Sequence, residues 1–414
     1  MNKLLLVALV LMLPASLKAE DLDAETLRLR QSAGALDAPQ GDKEAALPPK
    51  TAYQSGALSL QALNPEISVV GDFVSWAGET EGEAKSSYSD IRVAGIHFES
   101  YLDPYSKLKV TVPVNRSGAS LGEGYYTRYG FIKNVDLTLG KFHQEFGAIN
   151  RWHDPSLDQV ELPLAPRYIF GGHLNSAGLS LDWLAPQLFG GEQALTLQVT
   201  NGENPLLFST SYGGAVTNNN PKNAPSALLR YKYYKDLSKD TYAELGLSAV
   251  GGRNNMWKAG GSLVGDKLWT AVYGADLTVL WEPTSAMRYR NFVWRSEFYY
   301  LDKAIQAPDG SGFDKINAWG LYSYVQNKVS RTTEIGLRYD YYRPDTKPYA
   351  VSSLALTAHS PYQWQLSPYL TYWQSPWVKW RLEYDYRYGR GMADDNRVLL
   401  QCTFAAGPHK HERY

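Results

Sequence analysis

From Ile67 onward the chain alternates apolar and polar residues with a period of two, the spacing of strands whose two faces meet different surroundings. Leu268–Trp281 is the clearest case. Trp269, Ala271, Tyr273, Ala275, Leu277, Val279 and Trp281 share one face. Thr270, Gly274, Asp276 and Thr278 share the other, with Val272 and Leu280 as apolar exceptions. At about 3.3 Å per residue such a run covers about 40 Å. A tilt of about 45° fits it to an apolar membrane band about 25 Å tall. The same reading puts Trp380, Leu382, Tyr384, Tyr386 and Tyr388 outside and Arg381, Glu383, Asp385 and Arg387 inside. Ile335, Leu337, Tyr339 and Tyr341 oppose Glu334, Gly336, Arg338 and Asp340. In the last segment Val398, Leu400, Cys402 and Phe404 oppose Arg397, Gln401 and Thr403.

Candidate strands begin near Ile67, Ile91, Lys107, Gly124, Val135, Ala177, Ala194, Ala227, Tyr242, Leu268, Tyr289, Ile316, Thr332, Ala350, Gln365, Val378 and Arg397. Short connections at Asp103–Tyr105, Lys133–Asn134, Lys235–Asp240, Glu282–Ala286 and Asn327–Arg331 alternate with long ones at Gly78–Asp90, Asn201–Pro225, Gly251–Lys267 and Asp302–Lys315. The rhythm fails only between Arg343 and Trp377. Assigning Ala350–Ala358 to a loop restores it and leaves about sixteen strands, an even number, as bacterial outer-membrane barrels require. The fold class predicted is all-β, an antiparallel transmembrane barrel over residues 67–404 followed by a tail over 405–414. A soluble sandwich has the same alternation. Long–short loops, outward aromatics and a leader favour the membrane barrel.

One segment breaks the pattern. Lys141–Gly172 lies between the strands Val135–Leu139 and Ala177–Trp183, and it is too long for an ordinary connection. Rich in His, Asp, Glu, Arg and Pro, it reads as the third external loop, folded into the lumen over 141–172. Phe142, Phe146, Trp152, Leu162 and Leu164 would pin it to the wall. Its charged residues Lys141, Glu145, Arg151, Asp154, Asp158, Glu161 and Arg167 are the candidate pore constriction. Arg151 and Arg167 face four carboxylates, and Lys141 brings the balance to minus one, so the loop predicts a mild cation preference.

Composition narrows the classes. The 414 residues carry 41 Lys plus Arg against 42 Asp plus Glu, which gives nucleic acid no basic surface. Thirty Tyr, 12 Trp and 12 Phe suit a membrane–water boundary. The single Cys402 excludes an intramolecular disulfide and reads as a lipid-facing residue. Lys3 followed by the apolar run Leu4–Leu13 and Leu17-Lys18-Ala19 reads as a signal peptide over 1–19. Residues 20–66 read as a flexible periplasmic segment poor in core-forming residues.

His143, His153 and His173, with Asp154 and Asp158, are candidate zinc ligands by donor type, although their spacing matches no zinc motif. His409 and His411 form a second candidate contact. An enzyme is not expected. His359-Ser360 is the adjacent Ser–His pair, and nothing marks a partner for it. An energised receptor of about 22 strands needs a plug, for which the stretch before Ile67 is too small.

Several pieces carry a family likeness. Gly140-Lys141-Phe142, Phe146-Gly147, Asn150 and His153 lie in the loop, and Leu184-Ala185-Pro186 follows the next strand. Gln198–Pro205, Leu370–Trp373 with Ser375-Pro376, and Gly407-Pro408-His409 complete the set. In this order they resemble phosphate-selective porin O and P type proteins and the related zinc-regulated outer-membrane proteins. The resemblance implies a sixteen-stranded, trimeric, porin-like barrel. The arginine ladder and lysine cluster of the phosphate-selective members have no residue-by-residue match here, and inward charges are of both signs. The function expected is therefore an outer-membrane channel in contact with lipid, passing small hydrophilic solutes or ions. The alternatives are a zinc-linked uptake or binding protein and a structural barrel without a conducting lumen.

Overall fold

The computed structural model describes residues 65–80, 85–208, 210–212, 215–217, 225–254, 268–287, 289–306, 312–345, 362–390 and 395–407. The leader, the 20–64 stretch, Ala350–Ala358, His359-Ser360, His409 and His411 lie outside them. Among the described residues, sixteen strands close a barrel. They are β1 Glu66–Thr80, β2 Ser86–Asp103, β3 Ser106–Asn115, β4 Glu123–Ile132, β5 Val135–His143, β6 Asn175–Leu188, β7 Gly191–Thr200 and β8 Ser226–Ser238, then β9 Thr241–Asn254, β10 Leu268–Trp281, β11 Asn291–Gln306, β12 Phe313–Lys328, β13 Thr333–Arg343, β14 Gln363–Ser375, β15 Val378–Gly389 and β16 Asp395–Ala406. Gly118–Ala119 pairs onto the end of β3 as a small extra piece. Each strand runs antiparallel to the next. The circle closes where Val69 of β1 faces Ala406 of β16 and Thr80 faces Asp395.

Closure decides between the two architectures that alternation allows. A sandwich has edges, whereas here every barrel strand has two neighbours, so the ladder satisfies the backbone all the way round. The faces are inverted relative to a soluble protein. Leu247, Trp269, Tyr273, Leu337 and Leu400 are exposed, while Arg230, Arg338, Asp340 and Glu383 are buried in the interior. No helix among the described residues is long and apolar enough to cross a membrane; the strands form the wall.

One sequence expectation changes and another holds. Several strands outrun their predicted ends: β2 begins at Ser86 rather than near Ile91, and β8 continues to Ser238 where a turn was expected from Lys235. The first residues of β2 are polar and exposed, so alternation carries no contrast there. The ladder nevertheless continues, because backbone groups still need partners. Separately, β13 pairs directly with β14 from Thr333↔Tyr372 to Tyr342↔Gln363, so no barrel strand intervenes between them.

Candidate solute path through the barrel

The segment between β5 and β6 runs inside the barrel. Its short helical turns span Ile149–Arg151 and Asp154–Ser156, and one helix, α1, spans Leu164–Phe170. Gly171 (φ 72°) ends α1 in the left-handed conformation that glycine adopts without penalty. Phe146, Ile149, Leu157, Leu164 and Ile169 are buried against inward apolar residues of the wall, among them Leu228, Val250, Val272, Leu301, Ile316 and Tyr342. Val272 and Leu280 are thereby explained: both belong to the wall under this segment. Each fully buried side chain of this kind contributes about 1.5–3 kcal/mol, an upper figure because unfolded chains already bury some surface.

Backbone polarity is handled by wall charges. Glu297 Oε1 accepts the N–H groups of Ala148 and Ile149, each at 2.9 Å. Glu383 accepts from Val160 N at 2.7 Å, and Asp340 from Leu164 N at 3.0 Å. Carbonyl oxygens meet cations: Lys379 reaches Pro155 at 2.7 Å, Arg381 reaches Leu157 and Arg338 reaches Glu161, both at 2.8 Å. Arg92 of β2 donates to Val160 O at 2.6 Å and to Asp72 at 2.7 Å. Arg230 donates to Gly147 O. These partners explain why inward charges are of both signs: N–H groups need carboxylates, and carbonyls need cations.

Packing therefore fills the lumen against β8 to β16. Among the described residues, two cavities lie against β1 to β7. One, of about 310 Å³, lies toward the short-turn end and is lined by Lys107, Lys109, Glu145, Arg151 and Asp182 among others. The other, of about 360 Å³, lies toward the long-loop end and is lined by Arg92, Asn115, Asp154 and His173 among others.

The sequence-predicted constriction residues divide accordingly. Glu145 and Arg151 line the first cavity and pair at 3.2 Å. Asp154 lines the second and meets His173 Nε2 at 3.0 Å. Burial alone would raise the Asp154 carboxyl, but His173 and Arg92 hold it below the usual range. Lys141, Asp158, Glu161 and Arg167 line neither cavity. Lys141 faces Glu203 at 3.9 Å. Asp158 is buried under the loop, accepting from Tyr324 OH at 2.5 Å. Glu161 sits between Arg167 at 3.0 Å and Arg397 at 3.2 Å. Burial pushes its carboxyl up, yet these guanidinium groups bring it down to about 2.

The three loop histidines are brought together, with ring centroids 4.8 Å apart for His143–His153 and 4.9 Å for His143–His173. Four of their six ring nitrogens lie within hydrogen-bond distance of other groups. Nδ1 of His143 and Nδ1 of His173 lie 3.0 and 3.2 Å from the Asn150 carbonyl oxygen. Nε2 of His173 faces Asp154, and Nε2 of His153 faces Glu123 at 2.9 Å. Among the described residues no group of three or more His, Cys, Asp or Glu side chains is disposed to hold a metal ion. Zinc held through His173, or through Nδ1 of His143 or Nε2 of His153, would need those hydrogen bonds to be given up.

Sequence reasoning missed Arg92, His97, Glu123 and Glu297. All lie on strands and face inward, so parity offered a signal for their side of the wall but none for their partners.

No family model matches the chain. An uncharacterized protein of Aquifex aeolicus is 24% identical over 322 residues, covering 70% of this chain and 66% of that protein, just under two thirds of its length. Among solved structures, the outer membrane channel DcaP of Acinetobacter baumannii matches with a TM-score of 0.55 at 12% identity, over 83% of this chain and 97% of that one. OprB of Pseudomonas putida matches with a TM-score of 0.56 at 9% identity, over 83% and 94%. An anion-selective porin from Comamonas acidovorans matches with a TM-score of 0.52 at 10% identity, over 83% and 100%. At these identities the likeness is one of fold: the chain is a porin-like barrel. With its apolar outer band and closed ladder, it is a wall built for the outer membrane.

Proposed function

We propose that this protein is an outer-membrane channel for passive diffusion of small hydrophilic solutes or ions, narrowed by the loop between β5 and β6. The carrying observation is the division of the lumen: the loop packs its apolar residues against β8 to β13, while two cavities with charged and imidazole side chains in their lining lie along β1 to β7. A barrel of this strand number is wide enough for water unless something fills it. In this reading the long-loop end faces outside, and a solute passes between the loop and β1 to β7. Glu145 and Arg151 act on it directly. Asp158, Glu161 and Arg167 act by holding the loop in place.

Kinship with the phosphate-selective porin O and P type, and the trimer it implies, rests on the sequence pieces alone. Zinc uptake or binding is a second reading, motivated by the closeness of His143, His153 and His173. Calorimetry with zinc would support it by a saturable heat that is lost in His143→Ala with His153→Ala. A structural barrel without a conducting lumen is the remaining alternative. Single-channel recording in a planar bilayer tests the main reading: discrete conductance steps support it, and a folded protein that stays silent rejects it.

A further inference from the structure

The two cavities share five lining residues, Val70, His97, His143, His153 and Pro155. Val70 and His97 belong to the wall, on β1 and β2. His153 and Pro155 belong to the loop, and His143 ends β5. These residues stand where one chamber gives way to the other. The His97 and His153 rings meet edge-on across this boundary, with centroids 5.7 Å apart. His143 lies 4.8 Å from His153 on the loop side. Gly95 is the inward neighbour of His97 on β2, and a Cβ there would come within 3.0 Å of His97 Nε2. The wall is thus trimmed on one side of the imidazole.

We infer that His97, His143 and His153 form the neck of the solute path and act as its specificity filter, selecting small polar solutes without net negative charge. This rests on the channel reading and goes beyond it, because the charged loop positions lie in the chambers or under the loop and the neck itself is imidazole. The solute class follows from what stands behind the neck. In the chamber toward the short turns, Lys107 pairs with Glu99, Lys109 faces Glu123 at 3.5 Å and Arg151 faces Glu145 at 3.2 Å. Each cation already has a carboxylate beside it. Asp182 is a further carboxylate, held by the hydroxyls of Thr196 at 2.6 Å and Ser180 at 3.0 Å. Three cations against four carboxylates leave the lining one negative charge in excess. An anion entering would have to displace an existing pair, whereas a neutral or cationic solute meets hydroxyls, imidazoles and one surplus carboxylate.

The test uses the full-length protein in planar bilayers and in liposomes swollen with neutral sugars of increasing size. His97→Trp should narrow the neck and lower single-channel conductance by at least about two-fold, and His97→Ala should raise both conductance and the size limit. Ser238→Ala, at the exposed end of β8 and lining neither chamber, should leave the size limit unchanged. In a potassium chloride gradient the wild type should prefer potassium, and Asp182→Asn should weaken that preference. Heat-modifiable migration confirms that each variant is folded. A conducting wild type whose two His97 variants both keep its conductance and size limit overturns the neck. Chloride preference in the wild type overturns the solute class. A folded wild type that passes no current overturns the channel reading on which both depend.

Discussion

Arg381 of β15 donates from Nη1 to the carbonyl oxygen of Leu157 at 2.8 Å, and both residues are buried. A wall cation thus satisfies the backbone of a loop crossing the lumen. The same guanidinium also reaches Thr371 at 3.0 Å and Gln401 at 2.9 Å, so its own position is fixed from two neighbouring strands. A hydrogen bond to a charged group is worth about 1.5–3 kcal/mol, and losing it leaves a buried carbonyl unpaired. Arg381→Met should therefore loosen the loop without opening the barrel, whose ladder is independent of this contact. The expected outcome is a folded, heat-modifiable protein with noisier and higher single-channel conductance. Conductance identical to wild type would show that the bond does not hold the loop.

Glu297 anchors the other end of the loop. It accepts the N–H groups of Ala148 and Ile149 and the hydroxyls of Tyr299 and Tyr322, both at 2.6 Å. Gly147 makes this approach possible. Its φ is 62°, and a Cβ would stand 2.2 Å from Glu297 Oε2. Gly147→Ala and Glu297→Leu should both lower the melting temperature and increase protease nicking within the loop. The second should do so more, since it strands four buried donors at about 1–3 kcal/mol each. Equal resistance of both variants to protease would contradict this anchor.

The Glu161 carboxylate, held between Arg167 and Arg397, titrates at about 2 instead of its usual 4.5. A lowered folded-state value means that the ionised form stabilises the docked loop. That contribution is complete above about 4.5 and is lost as the pH falls through about 2. Current noise should rise as the pH is lowered across this window, and Glu161→Gln should show the noisier behaviour already at neutral pH, with a weaker pH response. A pH response unchanged in Glu161→Gln would assign the effect to other groups.

Much of the fold was legible because the barrel writes itself into one periodicity. Trp380 to Tyr388 alternate outward aromatic or apolar with inward charge in the sequence, and burial follows that alternation from Trp380 to Asp385 before the contrast fades at Tyr386–Tyr388. What parity could not reveal was function on the inner face. Arg381, Glu383 and Arg338 read as a mixed-charge lining, but their partners are carbonyl and N–H groups of a loop more than a hundred residues earlier in the chain. His97 sits in an ordinary strand pattern and meets His153 only after the barrel closes. Likewise Asp158 has the composition of a pore residue but turns toward Tyr324, because the apolar residues Leu157 and Val160 beside it are buried with it.

The direction of insertion can be read by labelling. Ser117 lies in an exposed connection at the long-loop end, between β3 and β4, and Ser238 lies at the short-turn end of β8. In a Cys402→Ser background, Ser117→Cys should react with an impermeant thiol reagent on intact cells. Ser238→Cys should react only after the outer membrane is permeabilised. The reverse pattern would invert the proposed orientation and turn the chamber holding Asp182 toward the outside.

Single-channel recording in a planar bilayer tests the central claim most directly, comparing the purified wild type with a variant in which residues 154–160 are replaced by a short glycine–serine link. The wild type should conduct in discrete steps, and the variant, without the segment that reaches Lys379, Arg381 and Glu383, should conduct at least about two-fold more. Equal conductance in two folded, heat-modifiable proteins would show that the loop does not narrow the path.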